Sequence, residues 1–275
     1  MRKVLYTITI IVLLVVFAFS AFQVVNYVVE SKRQAEKFDD LAQIKQEAMQ
    51  NAATEPAKPE QPEETTGQAE DATEPTGETE ETEPQMLPQY AALYEMNSDI
   101  VGWLTIPNTR VDYPVMQTPD RPNYYLERNF EKNFSAQGCL YAREEADIQK
   151  PSDNITIYGH NMLNGSMLAA LHSYIDKEKW EENNLIFFDT LYEYHVYEIF
   201  AVFKTSASLG KGFAYHKLID AESEEAFNEY IATCKELAFY DTGITPVYGD
   251  KLICLSTCEY TLENGRLVVA AVRIT

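Results

Sequence analysis

The sequence predicts a mainly β domain with peripheral helices, preceded by a transmembrane helix and a disordered stalk. Three observations support this order of elements. Residues 4–29 contain no charged side chain and are mostly apolar. Residues 51–85 contain no aromatic residue and no Val, Ile or Leu. Residues 87–275 alternate short β-rich segments with turn residues, which is typical of a barrel or a sandwich.

The uncharged run is long enough to cross a bilayer, because about 20 apolar residues span it as a helix. A cleavable signal peptide is the alternative, since residues 18–20 (Ala-Phe-Ser) offer small side chains after a short apolar stretch. The run continues past that point to Val29, which favours a retained anchor over residues 1–30. Two basic residues flank the run on each side, so the positive-inside rule does not decide its orientation.

Two segments connect this anchor to the β-rich domain. Residues 31–50 are good helix formers, and we expect them to extend the anchor helix outward. Residues 51–86 hold eleven acidic residues and one basic residue, and Glu, Thr and Pro dominate them. They cannot bury enough apolar surface to fold, so we expect a disordered spacer. Residues 87–275 have the length and hydrophobic content of one domain.

Within the domain, β-branched and aromatic runs bounded by turn residues predict eight strands. These are residues 100–106, 111–116, 138–142, 154–158, 185–188, 193–205, 251–258 and 266–274. Helical periodicity predicts three helices, over residues 87–96, 167–180 and 221–237.

Composition excludes several classes of function. The formal net charge of −21 argues against a nucleic-acid partner, because phosphate binding needs clustered cations. The four cysteines show no C-x-x-C spacing, and no D-x-D-x-D calcium loop occurs. We therefore expect no metal and no cofactor. Cys139 and Cys234 stay open as a disulfide pair, whereas Cys254 and Cys258 lie about 13 Å apart on one strand and are too distant.

Three chemically active side chains stand at predicted strand ends. His160 follows the strand 154–158, Cys258 ends the strand 251–258, and Arg266 begins the next strand after a short loop. If the last two strands form a hairpin, Cys258 and Arg266 lie side by side. A thiolate beside a fixed cation, with a nearby imidazole, suits acyl transfer. The alternative is that this Cys is only a small buried apolar residue.

The other histidines and the last arginine are weaker candidates. His172 and His195 have apolar neighbours, so we expect them to be structural. His216 follows a glycine-containing loop and is the alternative base. Arg273 lies seven residues after Arg266, and an odd spacing places the two on opposite strand faces.

Four motifs occur in order along the domain. They are residues 99–104 (Asp-Ile-Val-Gly-Trp-Leu), 111–117 (Val-Asp-Tyr-Pro-Val-Met-Gln), 158–161 (Tyr-Gly-His-Asn), and 255–258 (Leu-Ser-Thr-Cys) followed by 265–269 (Gly-Arg-Leu-Val-Val). Together they resemble the motifs of class B sortases, and the helix at 221–237 resembles the extra helix that separates class B from class A. The resemblance covers residues 87–275 and implies an eight-stranded sortase-type β-barrel.

The resemblance also implies roles for single residues. Cys258 corresponds to the nucleophile, His160 to the general acid and base, and Arg266 to the ligand of the oxyanion or substrate carbonyl. The implied substrate-binding residues are Leu126, Tyr158, Ser256, Thr257 and Glu259.

The implied activity is that of a cysteine transpeptidase. It cleaves a C-terminal sorting signal after Thr, holds the acyl chain as a thioester, and transfers it to an amine of peptidoglycan or of a pilin. Surface proteins that carry a sorting signal are the expected partners. The expected location is the membrane of a Gram-positive cell, single-pass, with the catalytic domain outside. A mainly hydrolytic peptidase and a non-catalytic surface binding module stay open as alternatives.

Overall fold

Eight strands close into one barrel in the computed structural model, which describes residues 2–54, 84–208 and 210–275. Their order around the barrel is β1-β2-β3-β4-β7-β8-β6-β5. The strands are β1 (Ile100–Thr105), β2 (Asp112–Met116), β3 (Leu140–Ala142), β4 (Asn154–Tyr158), β5 (Leu185–Thr190), β6 (Val196–Ser206), β7 (Leu252–Glu259) and β8 (Gly265–Arg273). The predicted eight-stranded fold is thus confirmed.

Four α-helices and three 3₁₀ turns surround the barrel in the described residues. The helices are α1 (Arg2–Thr54), α2 (Pro88–Met96), α3 (Lys177–Glu182) and α4 (Glu224–Leu237), and the 3₁₀ turns are Tyr124–Glu127, Ala169–Ile175 and Tyr215–Lys217. Most of the expected disordered spacer, residues 55–83, lies outside the described residues.

Alternate residues along the strands divide the core into two parts, because successive side chains point to opposite faces of a sheet. Ile253 and Leu255 of β7 belong to the main cluster inside the barrel. Leu252 and Cys254 belong to a second cluster on the outer face, which the apolar side of α4 covers. Ser223 starts α4 as its N-cap, accepting a hydrogen bond of 3.2 Å from the Ala226 amide.

Helix α1 differs from its expected course. Its first half is an exposed apolar helix, and over the described residues it is the one helix long and apolar enough to cross a membrane. Its second half was expected to extend outward, but it packs on the barrel and on α2. Phe38 and Leu41 are buried, and the Phe38 ring meets the Tyr113 ring edge-on with centroids 5.0 Å apart. The Lys45 ammonium lies 4.4 Å above the Trp103 ring.

The predicted helix over residues 167–180 is wrong in its form. Met167 has a left-handed backbone (φ 55°), and Asp176 is extended, so neither can lie inside an α-helix. Between them a 3₁₀ turn buries Leu168, Leu171 and Tyr174. These apolar residues recur every three positions, which matches the three residues per turn of a 3₁₀ helix. The short helix α3 follows as a separate element.

Candidate active site

Strand pairing brings the three candidate side chains to one end of the barrel. β4 and β7 are parallel neighbours with Tyr158 opposite Ser256, so the residues two positions further on, His160 and Cys258, lie at the same end of the barrel. β7 and β8 form an antiparallel hairpin in which Cys258 and Arg266 are direct partners. Directly opposite residues have Cβ atoms about 5 Å apart on one face.

The site lies on the outer face of the sheet, beyond the area that α4 covers. Cys254, Ser256 and Cys258 share this face because they alternate along β7. An open groove of about 240 Å³ runs over it. The groove is lined by Asn123, Leu126, Tyr141, Arg143, Tyr158, Gly159, His160, Ala207, Tyr215, His216, Ser256, Thr257, Cys258 and Arg266.

Cys258 differs from the other three cysteines in its exposure. All four are free, and Cys258 alone of the four is partly exposed. Burial raises the pKa of Cys254 to about 12 and raises the pKa values of Cys139 and Cys234 as well, so these thiols stay protonated at neutral pH. Cys258 is therefore the thiol that the fold leaves available for chemistry.

One hydrogen bond of the His160 ring shows which ring nitrogen carries the proton. Nε2 lies 2.8 Å from the carbonyl oxygen of Leu126, and a carbonyl only accepts, so Nε2 carries the proton of this bond. In the neutral ring, Nδ1 is then the nitrogen that accepts a proton. Gly159 allows this arrangement, because a Cβ there would lie 2.4 Å from Leu140 Cδ2 and 2.7 Å from Leu168 Cγ.

Arg266 is held by the loop that joins β7 to β8. Its Nη1 donates to the carbonyl oxygens of Gly265 at 2.9 Å and of Asn264 at 3.4 Å. On its other side Arg266 pairs with Thr205 of β6. The guanidinium is thus a fixed positive charge with further N–H donors beside Cys258.

Four of the five predicted substrate-binding residues line the groove: Leu126, Tyr158, Ser256 and Thr257. Glu259 does not. Its carboxylate contacts Lys204 Nζ at 3.0 Å and accepts hydrogen bonds from the amides of Thr261 and Leu262. Burial raises the pKa of this carboxyl, but those hydrogen bonds and Lys204 outweigh burial and lower the pKa to about 2. Glu259 therefore holds the β7–β8 turn in place.

The other candidates from the sequence occupy distinct places. His195 contacts Glu193 at 3.0 Å and Arg273 at 3.4 Å, away from the groove. His216 lines the groove, and burial, followed by Arg143 and Lys217, lowers its pKa.

His172 lies closer to the nucleophile than the sequence suggested. Its Nε2 is 3.1 Å from the Cys258 carbonyl oxygen, which also accepts a 3.3 Å hydrogen bond from Asn161 Nδ2. Both contacts reach the backbone of Cys258, so these residues position the strand end that carries the thiol.

Sequence analysis also missed part of the groove wall. Tyr141, Arg143 and Tyr215 line the groove, and the Tyr215 hydroxyl lies 2.6 Å from Ser256 Oγ. Arg143 interacts with the Tyr158 hydroxyl and pairs with Glu145 at 3.0 Å. In the sequence Arg143 precedes two acidic residues and resembles a solvated surface charge, so no local signal distinguishes it.

The groove thus combines a partly exposed thiol, a histidine at the neighbouring strand end and a fixed arginine opposite the thiol. This arrangement is suited to acyl transfer by a cysteine. A sortase domain model matches residues 104–274. The chain therefore belongs to the sortase family, and its relatives place it among the cysteine transpeptidases of the sortase B type.

Two relatives and two solved structures show the extent of the similarity. Sortase B of Listeria monocytogenes is 33% identical over 187 residues, which cover 66% of this chain and 73% of that protein. Sortase B of Staphylococcus aureus is 26% identical over 186 residues, 67% of this chain and 74% of that protein. A structure of Bacillus anthracis sortase B in complex with AAEK1 shares 30% identity and a TM-score of 0.60, covering 69% of this chain and 86% of that one. The Staphylococcus aureus sortase B–substrate complex has a TM-score of 0.72 at 22% identity and covers 90% of this chain and 99% of that one, which shows the shared fold.

Proposed function

We propose that this enzyme cleaves a C-terminal sorting signal after Thr and joins the released protein to an amine of peptidoglycan or of a pilin. The direct pairing of Cys258 with Arg266, with His160 at the adjacent strand end, carries the proposal. Leu126, Tyr158, Ser256 and Thr257 form the walls along which the signal lies.

In the first half-reaction the Cys258 thiol gives its proton to Nδ1 of His160, which becomes an imidazolium. The resulting thiolate attacks the carbonyl carbon of the Thr residue. The carbonyl oxygen becomes an oxyanion, which the Arg266 guanidinium stabilises. The intermediate collapses, the peptide C–N bond breaks, and His160 gives its proton to the leaving amine. The acyl chain then remains on Cys258 as a thioester.

In the second half-reaction an acceptor amine attacks the thioester carbonyl and gives a proton to His160. The C–S bond breaks, and the thiolate of Cys258 returns beside Arg266. Water competes with the amine for the same thioester, so the ratio of transfer to hydrolysis is a property that product analysis measures.

The apolar half of α1 supports the proposed location. We propose that residues 1–30 anchor the enzyme in the cell membrane as a single span with the catalytic domain outside. Substrates and acceptors at that membrane surface then meet the enzyme at a raised effective concentration.

Mass spectrometry of the full-length chain in detergent tests the proposal. The enzyme is incubated with a library of sorting-signal peptides, with and without a peptidoglycan-like amine. We expect cleavage after Thr, a thioester adduct on the peptide that contains Cys258, and an amide product only when amine is present. Cleavage at another residue, or an adduct on another cysteine, would contradict the proposed reaction.

A further inference from the structure

Helix α1 reaches the catalytic domain as soon as its apolar run ends. Ser31 lies two residues beyond Val29, about 3 Å along the helix axis. Its Oγ accepts a 2.5 Å hydrogen bond from Asn164 Nδ2. A small cavity is lined by residues of α1 (Tyr27, Glu30, Ser31, Gln34) together with residues of two domain loops (Ser135, Ala136, Gln137, Met162). These loops, residues 134–137 and 161–166, are called the tip loops below.

Each tip loop exposes a large apolar side chain beside this helix. Leu163 is 96% exposed and Phe134 is 69% exposed. One exposed apolar residue is ordinary on a soluble surface. Here each of the two loops beside the end of a candidate membrane span carries one such residue. This arrangement is suited to a lipid interface.

Basic side chains also lie beside the tip loops and the end of the apolar run. Arg110 Nη1 donates to the Asn164 carbonyl oxygen at 2.8 Å, so its charge lies on the tip loop that carries Leu163. Lys32 and Arg33 are exposed on the first turn of α1 after the apolar run. Clustered cations next to a span attract anionic phospholipids.

The tip loop at residues 161–166 is also part of the active-site end of the barrel. It directly follows His160, and its base is closed by a 3.0 Å hydrogen bond from the Leu168 amide to the His160 carbonyl oxygen. Asn161, its first residue, donates to the Cys258 carbonyl oxygen. A surface that holds this loop therefore lies next to the reacting groups.

We propose that the tip loops rest in the interfacial layer of the bilayer, with Leu163 and Phe134 among the lipid headgroups and the basic residues on anionic phosphates. The inference rests on the membrane anchor of the proposed function. It adds that the docked second half of α1 turns the catalytic end of the groove toward the lipid surface. The partner is an anionic phospholipid surface.

Nitroxide labels on the full-length chain in vesicles of phosphatidylcholine and phosphatidylglycerol test this arrangement. Cys258→Ala removes the one partly exposed native thiol, because the other three cysteines are buried. Leu163→Cys and Phe134→Cys place labels on the tip loops, and Val15→Cys places one in the span. Val247→Cys is the matched control, since Val247 is apolar, 62% exposed and precedes β7, at the opposite end of that strand from Cys258.

Collision rates with oxygen, which concentrates in lipid, and with an aqueous nickel chelate report the depth of each label. We expect the labels at 163 and 134 to favour oxygen over the chelate and to do so more strongly as phosphatidylglycerol increases, while the label at 247 behaves as in water. Tip-loop labels as aqueous as the label at 247 would overturn the inference while a lipid-exposed label at 15 preserves the anchor. An aqueous label at 15 would overturn both.

Two parallel measurements keep these outcomes separate. Cleavage of a sorting-signal peptide by the unmodified chain reports on the proposed reaction and not on depth. Tryptophan fluorescence of each labelled variant reports on the barrel, because both tryptophans, Trp103 and Trp180, pack in the domain. If Phe134→Cys alters the fluorescence, a label at Ala136, which is exposed in the same loop, replaces it.

Discussion

The two faces of β7 carry different kinds of residue and do different work. On the outer face, Cys254 lies under α4 and Cys258 lies in the groove, although both are cysteines four residues apart on one strand. On the inner face, Glu259 directly follows Cys258 but is buried with Lys204 as its partner. Residue type alone therefore does not mark the reactive position. The cover over each face decides which side chain meets substrate.

The largest expected effect separates the two cysteines of the outer face. Cys258→Ala should abolish both peptide cleavage and the thioester adduct, because it removes the nucleophile. Cys254→Ala should retain activity and lower only stability, since it removes a buried sulfur from the cluster under α4. Steady-state peptide cleavage and thermal unfolding of both variants check this. Peptide cleavage by Cys258→Ala would show that Cys258 is not the nucleophile.

Next in size is the loss of the neighbouring imidazole. His160→Ala should lower the rate by about 100- to 10,000-fold, which is the usual worth of positioned proton transfer. His216→Ala, in the same groove, and His195→Ala, outside it, are the controls and should keep most of the rate. Single-turnover kinetics on one peptide compare the three. If His216→Ala lost as much rate as His160→Ala, the role assigned to His160 as the base would be contradicted.

The arginine opposite Cys258 tests the geometry of the hairpin. Arg266→Ala should lower the rate by about 100- to 1,000-fold, the range found when an oxyanion donor is removed. Arg266→Lys keeps the charge but loses the planar donor geometry, so it should recover only part of that rate. Arg273→Ala is the control, because Arg273 contacts His195 at the far end of β8. A large loss of rate in Arg273→Ala together with normal kinetics in Arg266→Lys would contradict the role of Arg266 as the oxyanion ligand.

The smallest expected effect is a loss of stability when Glu259, on the inner face of β7, is changed. The lowered pKa of Glu259, about 2 against an ordinary 4.5, means that its carboxylate stabilises the fold above pH 4.5 and that this stability is lost as pH falls toward 2. Glu259→Gln should lower the free energy of unfolding by about 1.5–3 kcal/mol at pH 7, the worth of hydrogen bonds to a charged group. The deficit relative to the parent should shrink between pH 4.5 and 2. Urea unfolding followed by tryptophan fluorescence measures it, and a deficit independent of pH would contradict the pairing with Lys204.

Local signals in the sequence were sufficient to place the strands and to put the three candidate residues at strand ends. Strand periodicity places His160 and Cys258 at strand ends, and the short loop before Arg266 gives the hairpin register that the structure shows. The 3₁₀ turn after His160 was not predictable as such, because apolar residues spaced by three fit both helix types until the backbone of Met167 and Asp176 excludes the α form.

Long-range packing decided what the sequence left open. The sequence by itself determined the anchor-like run, the barrel strands and the positions of Cys258, His160 and Arg266 at strand ends, because these depend on composition and short spacings. Only the tertiary structure decided that the second half of α1 packs on the barrel, that Arg143 and Tyr215 complete the groove, and that Glu259 supports a turn. Each of these depends on contacts between residues distant in the chain, and no local pattern encodes which partners will meet.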